Sequence, residues 1–276
     1  MKLRTVLGTM TFSAQTGQKE SVEMLETFVK QGHTEIDTAR MYCKGKTETL
    51  LGEVLDGKLK ETLKVASKCN PFPFADESLS AASVKTQLGK SLESLKTDHV
   101  DLLYLHAPDP STPIEETLEA VNEAFKAGKF KRFGLSNFQS WEVTKIYYVC
   151  KAKYAFVPTV YQGMYNVITR DVERELFPCL KALNMSFYAY NPLAGGLLTG
   201  KVARQDLAEL NDGSRFDKSN AMYRARYLNN VQLDACDLIF AACKAHDVTP
   251  AHCALRWLKH HSKLPDSSAG DAGIIG

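Results

Sequence analysis

The sequence lacks several features, and each absence excludes something. No apolar run comes near the ~18 residues that a membrane span requires. The start, Met1-Lys2-Leu3-Arg4-Thr5-Val6-Leu7-Gly8, has a basic pair but no apolar stretch long enough for a signal peptide. Neither sign of charge dominates: 34 Lys and Arg against 32 Asp and Glu leave +2 over 276 residues, too weak a field to argue for a nucleic-acid partner. The seven cysteines (Cys43, Cys69, Cys150, Cys179, Cys236, Cys243 and Cys253) are odd in number, scattered, and without a Cys-x-x-Cys. That argues against a disulfide framework and against a zinc site. No linker, fixed-period repeat or low-complexity tract is visible. With 24% charged and 44% hydrophobic residues, disorder and collagen-like chains are excluded as well. The expectation is a single globular domain over 1–276, cytoplasmic, with no membrane and no nucleic-acid partner.

What is present is a regular alternation of short β-prone runs with helix-period segments. Strands are expected at Val6–Gly8, His33–Asp37, Leu63–Lys68, Val100–Leu105, Phe130–Leu135, Val157–Gln162, Met185–Tyr190 and Ala272–Ile275. Helices are expected at Glu20–Lys30, Thr47–Leu55, Ser80–Leu95, Thr112–Gly128, Trp141–Lys153, Val172–Leu183, Val231–His246 and Ala251–His260. Thr112, Ser140 and Thr249 read as N-caps, with Pro113 and Pro250 in the first turn. Val100-Asp101-Leu102-Leu103-Tyr104-Leu105 is almost continuously apolar, as in a sheet covered on both faces. Eight such βα units imply a closed (β/α)8 TIM barrel rather than an open sheet, and no Gly-x-Gly-x-x-Gly follows the first strand to suggest a Rossmann domain. One long irregular segment, Gly195 to about Met222, carries turn chemistry at Asn211-Asp212-Gly213-Ser214. Loops of that length in compact domains are usually functional.

In such barrels the chemistry sits at the C-terminal ends of the strands. The polar residues there are Asp37 and Tyr42 after strand two, Lys68 at strand three and His106 at strand four. Ser136 and Asn137 end strand five, Gln162 strand six, and Tyr190 and Asn191 strand seven. Singly, each has an ordinary structural reading: a turn carboxylate, a solvated Lys, a satisfied loop His, a Tyr at the edge of the core. Together they form a set. A buried ammonium beside a phenol favours the phenolate and lowers its pKa from about 10. A carboxylate keeps that ammonium charged, and a His beside them can orient a carbonyl oxygen. Such a set donates a proton to an oxygen that is gaining charge. Reducing a carbonyl also needs a hydride donor, which is a cofactor's task. Ser136, Asn137 and Gln162 could hold a carboxamide, and Tyr190 offers a flat aromatic face. The run Asn191-Pro192-Leu193-Ala194-Gly195-Gly196-Leu197-Leu198-Thr199-Gly200-Lys201 is glycine-rich and ends in a cation, which suits phosphate as well as an ordinary loop.

Five segments carry a family resemblance: Gly32-His33-Thr34-Glu35-Ile36-Asp37-Thr38-Ala39, Asp101-Leu102-Leu103-Tyr104-Leu105-His106, Gly134-Leu135-Ser136-Asn137-Phe138, Pro158-Thr159-Val160-Tyr161-Gln162-Gly163-Met164-Tyr165-Asn166, and Tyr188 through Lys201. On these, from Val6 to Gly276, the chain resembles the aldo-keto reductases, and within them the aflatoxin-aldehyde and succinic-semialdehyde reductases. The resemblance implies NADPH-dependent reduction of an aldehyde or ketone. Tyr42 is the implied proton donor, Lys68 lowers its pKa, Asp37 pairs with Lys68, and His106 orients the carbonyl. It further implies that Asn137, with Ser136 and Gln162, holds the nicotinamide amide and Tyr190 stacks on its ring. Asn191 to Lys201 then cover the pyrophosphate, Arg215 adds a phosphate contact, and Tyr223 and Arg226 face the substrate. Met41 and Cys43 flank the implied catalytic Tyr and would shape the pocket. Homodimers are the implied oligomeric form, and detoxification or secondary metabolism the implied setting.

The family's pattern continues past its last strand with a segment gripping the adenosine 2′-phosphate, a final helix and a C-terminal loop. The sequence has no counterpart of these after Ile275-Gly276. The barrel is therefore expected without its last helix and C-terminal loop. A second reading stands beside the reductase: a non-catalytic barrel that binds nucleotide weakly or serves as a partner subunit.

Overall fold

A computed structural model of the chain describes residues 3–72, 77–210, 213–264 and 273–276. Strands β1 (Arg4–Gly8), β2 (Glu35–Asp37), β3 (Lys64–Cys69), β4 (Val100–Leu105), β5 (Phe130–Ser136), β6 (Pro158–Met164), β7 (Ser186–Tyr190) and β8 (Gly273–Ile275) close into a barrel in sequence order. This is the expected (β/α)8 barrel. The helices are α1 (Gln18–Lys30), α2 (Lys46–Val54), α3 (Gly57–Thr62), α4 (Ala81–Ser94), α5 (Ile114–Lys126), α6 (Ser140–Lys153), α7 (Leu176–Ala182), α8 (Ala221–Tyr227), α9 (Asn230–Ala245) and α10 (Pro250–His260). Among the described residues no helix is long and apolar enough to cross a membrane.

Most expected elements recur within a residue or two, and the differences are local. Helix α5 starts after Pro113, not from a Thr112 cap, because the Thr112 hydroxyl instead donates to Asp109 at 2.8 Å. Gln139, rather than Ser140, precedes α6, and Glu142 reaches back to the Gln139 N–H at 2.8 Å. At α10 the expected cap holds: the Thr249 hydroxyl accepts from the His252 N–H. The stretch expected as one helix over 172–183 is a short 3₁₀ turn (Asp171–Glu173) followed by α7.

The chain divides into two compact units: residues 1–163, 175–188 and 265–276, and residues 164–174 and 189–264. In the first, the parallel register fixes which side chains meet. Lys68 lies opposite Tyr104, and Tyr104 opposite Gly134. A one-residue slip would turn every inward side chain outward. Gly134 is required by close approach. A Cβ there would stand 2.5 Å from two carbons of the Tyr104 ring and 3.1 Å from the Val160 carbonyl oxygen. Tyr104 is fully enclosed and has no room to yield.

The N-terminal ends of the same strands hold a charged cluster. Glu35 accepts from Arg4, from Arg132 Nη2 at 3.0 Å and from the Tyr188 hydroxyl at 2.9 Å. Arg132 also grips Asp101 through Nε at 2.9 Å and Nη2 at 2.6 Å. Burial alone would push the Glu35 carboxyl upward. The field of Arg132, with the hydrogen bonds from Arg132, Arg4 and Tyr188, outweighs it and holds the carboxyl below its ordinary value.

The second unit has its own apolar centre, built from Ala194, Leu197, Leu198, Phe216, Tyr223 and Tyr227, among others. Here the expected loop over 195–222 proves partly ordered. It holds 3₁₀ turns at Ala194–Thr199 and Arg204–Glu209, and the start of α8. Of the expected turn chemistry, Asn211 and Asp212 lie outside the described residues.

Gly134→Ala is expected to cost about 1–3 kcal/mol, the usual penalty of overpacking an interior. A lower denaturation midpoint at unchanged slope in urea is the result that checks it.

Candidate active site

The first unit brings Asp37, Tyr42, Lys68, His106, Ser136, Asn137 and Gln162 to the C-terminal ends of β2 to β6. Lys68, Asp37 and Gln162 are almost wholly enclosed, at 1%, 3% and 3% exposure. An ammonium has three N–H donors, and Lys68 uses all of them. It donates to Asp37 Oδ1 at 2.6 Å, the Thr38 carbonyl at 2.7 Å and the Tyr42 hydroxyl oxygen at 3.3 Å. Burial works to discharge this ammonium, but Asp37 and then Tyr42 outweigh it, and its pKa stands above the ordinary Lys value. The other Asp37 oxygen accepts from Gln162 Nε2 at 2.8 Å. Since Tyr42 accepts from Lys68, its own hydrogen is directed elsewhere.

Tyr42 is delivered by a tight turn. Residues Tyr42–Gly45 form a 3₁₀ turn broken by left-handed backbone at Cys43 (φ 50°) and Lys44 (φ 57°). Such residues cost of order 1–3 kcal/mol each and persist only where surroundings enforce them. Here Cys43 Sγ turns to the Phe12 carbonyl at 3.3 Å, and the buried Thr47 hydroxyl donates to the same oxygen at 2.9 Å. The side chain expected to shape a pocket, Cys43, is thus engaged in holding the turn.

His106 follows β4, its backbone N–H bonded to the Cys69 carbonyl at 2.9 Å. Its ring stands edge-on to Tyr42, centroids 6.3 Å apart. Asn137, at φ 65°, donates through Nδ2 to the His106 carbonyl at 2.9 Å and to Ser136 Oγ at 3.0 Å. The donor set therefore fits a carboxamide in a definite way. Ser136 Oγ already accepts, so its hydrogen can be donated to a carbonyl oxygen. Gln162 Nε2 is committed to Asp37, so its carbonyl oxygen is the group it can offer to an amide N–H.

In the second unit, Tyr190 ends β7 and its carbonyl accepts from the Tyr165 N–H at 3.3 Å. Asn191 is clasped by four side chains: its carbonyl takes Asn166 Nδ2 at 3.0 Å, its Oδ1 takes Arg215 Nη1 at 3.2 Å and the Tyr223 hydroxyl at 3.4 Å, and its Nδ2 reaches the Tyr227 hydroxyl at 3.3 Å. Pro192 is buried and Leu193 half-buried, and Ala194, Leu197 and Leu198 face the unit's own core. The buried side chains among them leave the backbone as their contact with a ligand, while Leu193 keeps part of its side chain exposed. Gly195 (φ 70°) and Gly196 (φ 105°) supply that backbone, and a Cβ on Gly195 would lie 2.9 Å from the Tyr223 ring. The Thr199 hydroxyl donates to the Gly196 carbonyl at 2.7 Å, Gly200 caps the turn, and Lys201 follows it, exposed. The guanidinium carbons of Arg215 and Arg226 lie 5.3 and 5.6 Å from the centroid of the Tyr223 ring. Two cations on one ring repel each other, and an anion is their complement.

This geometry can be set beside known proteins. The family model described as "Aldo/keto reductase family" matches residues 4–275. The chain belongs to the aldo/keto reductase family. Aflatoxin B1 aldehyde reductase member 2 of Mus musculus is 45% identical over 280 residues, covering 99% of this chain and 76% of the relative. Aflatoxin B1 aldehyde reductase member 4 of Homo sapiens is 43% identical, covering 99% and 84%. An aldo-keto reductase of Pseudocercospora fijiensis is 43% identical, covering 92% and 86%. As an aldo-keto reductase the chain is an oxidoreductase of carbonyl and CH–OH groups that works with a nicotinamide cofactor.

Several groups that brace this reductase's site lie outside the strand-end residues that the sequence singled out. Asn70, two residues past Lys68 and just before Pro71, is fully buried against His106. Reading one or two residues further would have found it. Gln87, Glu48 and Asn166 sit within helical or loop patterns and carry no such signal.

The His106 imidazole is pushed down from 6.5 to about 3, by burial first and then by the Lys68 charge. The unfolded chain takes up this proton as pH falls through about 6.5, whereas the folded chain does not until about 3. Unfolding free energy is expected to fall across that window by up to about 1.4 kcal/mol per pH unit. Denaturant titrations at several pH values measure the slope. His106→Gln should flatten it, and an equal slope in the variant assigns the effect to other groups.

Proposed function

We propose that this aldo-keto reductase is NADPH-dependent, reduces aldehydes or ketones to alcohols, and uses Tyr42 as the proton donor. The single observation that carries this reading is the Lys68 ammonium, enclosed and charged, with one N–H on the Tyr42 oxygen at 3.3 Å. When bound, the cofactor supplies hydride to the carbonyl carbon. The rest is done by the chain. Charge builds on the substrate oxygen, Tyr42 gives up its proton to it, and the negative charge left on the phenol oxygen falls on the Lys68 N–H. Asp37 holds Lys68 in its charged state and in place. His106, a neutral ring beside Tyr42, adds no second cation to compete with Lys68.

Ser136 and Gln162 are proposed to orient the nicotinamide carboxamide, one as donor and one as acceptor, with Asn137 fixing Ser136. Tyr190 is proposed to stack on the ring. The backbone of Asn191–Lys201 and the Arg215 guanidinium are proposed to take phosphate groups. Arg226, paired with Arg215 on the Tyr223 ring, suits an aldehyde that bears a carboxylate. The relatives' names, aldehyde reductases among them, support an aldehyde as substrate.

Tyr42→Phe is expected to lower kcat by roughly 10²–10⁴-fold, the usual worth of a positioned general acid. NADPH affinity, read by fluorescence titration, should stay within about twofold, because the phenol hydroxyl is reserved for the substrate. Turnover that survives the change removes Tyr42 from the mechanism. A parallel titration with NADH tests cofactor choice, and tighter NADPH binding is the expected result.

A further inference from the structure

Cys243 and Cys253 stand where two helices of the second unit are joined. Helices α9 and α10 are connected by residues 246–249 alone and pack against each other. The connection is tied at both ends. The Cys243 carbonyl accepts from the His246 N–H at 3.3 Å and from the Val248 N–H at 3.0 Å, with Asp247 left-handed at φ 52°, a common way to stop a helix sharply. On the other side the Thr249 carbonyl accepts from the Cys253 N–H at 3.0 Å, and the Thr249 hydroxyl accepts from the His252 N–H. Both cysteine backbones are thus fixed to one short turn, and their side chains hydrogen-bond each other. Bringing two sulfurs already in contact to bonding distance asks for side-chain rotation rather than movement of the helices. Cys43, Cys69 and Cys179, by contrast, turn their sulfurs to oxygen atoms.

The pair is uneven. Cys243 is buried at 4% exposure, whereas Cys253 is half-buried and open to a small reagent. Burial, and then the neighbouring sulfur, push the Cys243 thiol above its ordinary value, so Cys243 keeps its hydrogen and offers it to the Cys253 sulfur. One turn back along each helix, Phe240 and Pro250 meet a common neighbour. A Cβ on Gly200, which caps the glycine-rich run, would stand 3.2 Å from Pro250 Cγ and 3.7 Å from Phe240 Cε1. Residues three apart share a helix face, so each cysteine lies directly behind one of the two residues that support Gly200.

We propose that Cys243 and Cys253 are a redox modification site, forming a reversible disulfide that fastens the helix pair behind the glycine-rich run. The oxidant is hydrogen peroxide. The Cys253 sulfur attacks one peroxide oxygen and the O–O bond breaks. Cys253 becomes a sulfenic acid, and the other oxygen leaves as water with the thiol hydrogen. The Cys243 sulfur then attacks the Cys253 sulfur. The S–S bond forms, the S–O bond breaks, and the hydroxyl leaves as water with the Cys243 hydrogen. Two thiols give up two electrons and two hydrogens, and one peroxide becomes two waters. A dithiol reverses the bridge by exchange. A consequence for the cofactor rests on the reductase reading, in which this run covers the pyrophosphate: with its support tied, the run lifts less readily and NADPH leaves more slowly.

The test treats the full chain with stoichiometric hydrogen peroxide, alkylates the remaining thiols and digests with trypsin. Trypsin cuts after Lys244, between the two cysteines, so the bridge is read as two peptides joined and lighter by two hydrogens. The expected result is that joined pair, with the other five cysteines alkylated, and its loss on treatment with dithiothreitol. In Cys243→Ser the reaction should stop at a sulfenic acid on Cys253, trapped by dimedone, and in Cys253→Ser the Cys243 thiol should survive. Alkylated thiols at both 243 and 253 after peroxide overturn the proposal, and so does oxidation of Cys243 in Cys253→Ser. Thermal melting gives a second readout. The bridged chain should melt a few degrees above the reduced one, with no response to peroxide in either Ser variant, and an equal melting temperature overturns the fastening. Release of NADPH, followed by stopped-flow fluorescence, should slow several-fold in the bridged chain, and an unchanged rate overturns the link to the cofactor. Absence of NADPH binding in both states counts against the reductase reading and takes that link with it, while the joined peptides still decide the bridge.

Discussion

The buried pair of Lys68 and Asp37 is the constraint on which the site depends. Taking two charges out of water costs several kcal/mol per ion, and the mutual attraction repays this only when every remaining donor and acceptor is matched. Here the matching draws in much of the barrel mouth. The Thr38 carbonyl and the Tyr42 oxygen complete the ammonium, and Gln162, from β6, completes the carboxylate. Three strand ends (β2, β3 and β6) and one turn must therefore be in place together before either charge is tolerable. A structure that satisfies this demand has its ammonium aimed at the phenol before any ligand arrives, which is what preorganisation means in physical detail.

The turn bearing Tyr42 shows the same economy of placement. Its left-handed residues are unfavourable locally and are held by contacts from the loop after β1, where the Phe12 carbonyl takes both Cys43 and Thr47. The strain lies at Cys43 and Lys44, directly after the residue whose position matters most. In the second unit the recognition groups are organised differently. Asn191 is the hub: its carbonyl, side-chain oxygen and side-chain nitrogen are all engaged within that unit, and Arg215 is steered by it.

Much of this was legible in the sequence, and the limits are instructive. The strands were legible because a sheet covered on both faces demands unbroken apolar runs, as in Val100–Leu105. The helices were legible because their buried stripes repeat with the helical period. That Asp37, Tyr42, Lys68 and His106 would meet was legible because strand ends in a barrel converge by construction; singling out these four rested on the family resemblance. Capping failed at Thr112 and Ser140, where a neighbouring side chain offered the hydroxyl or the N–H a competing partner. The segment over 195–222 failed because its order comes from packing in the second unit's core, which leaves no periodic trace. Asn70 lay just past the end of a strand and could have been found there, whereas Gln87, which clamps the Asn70 backbone, sits inside a helical pattern that carries no trace of that contact.

The three-residue strand β2 carries a further consequence. Glu35 and Asp37 are separated by a single residue, so alternation puts their side chains on one face of the strand, about 7 Å apart along it. Each is quenched by its own cations: Arg4 and Arg132 for the first, Lys68 for the second. Two enclosed carboxylates are thus strung on one short ribbon, each dependent on its own cations. Removing Lys68, or Arg4 and Arg132 together, would leave a bare anion beside another anion in a medium that screens poorly, so damage at the structural end would be felt electrostatically at the reactive one, with no rearrangement of the backbone between them.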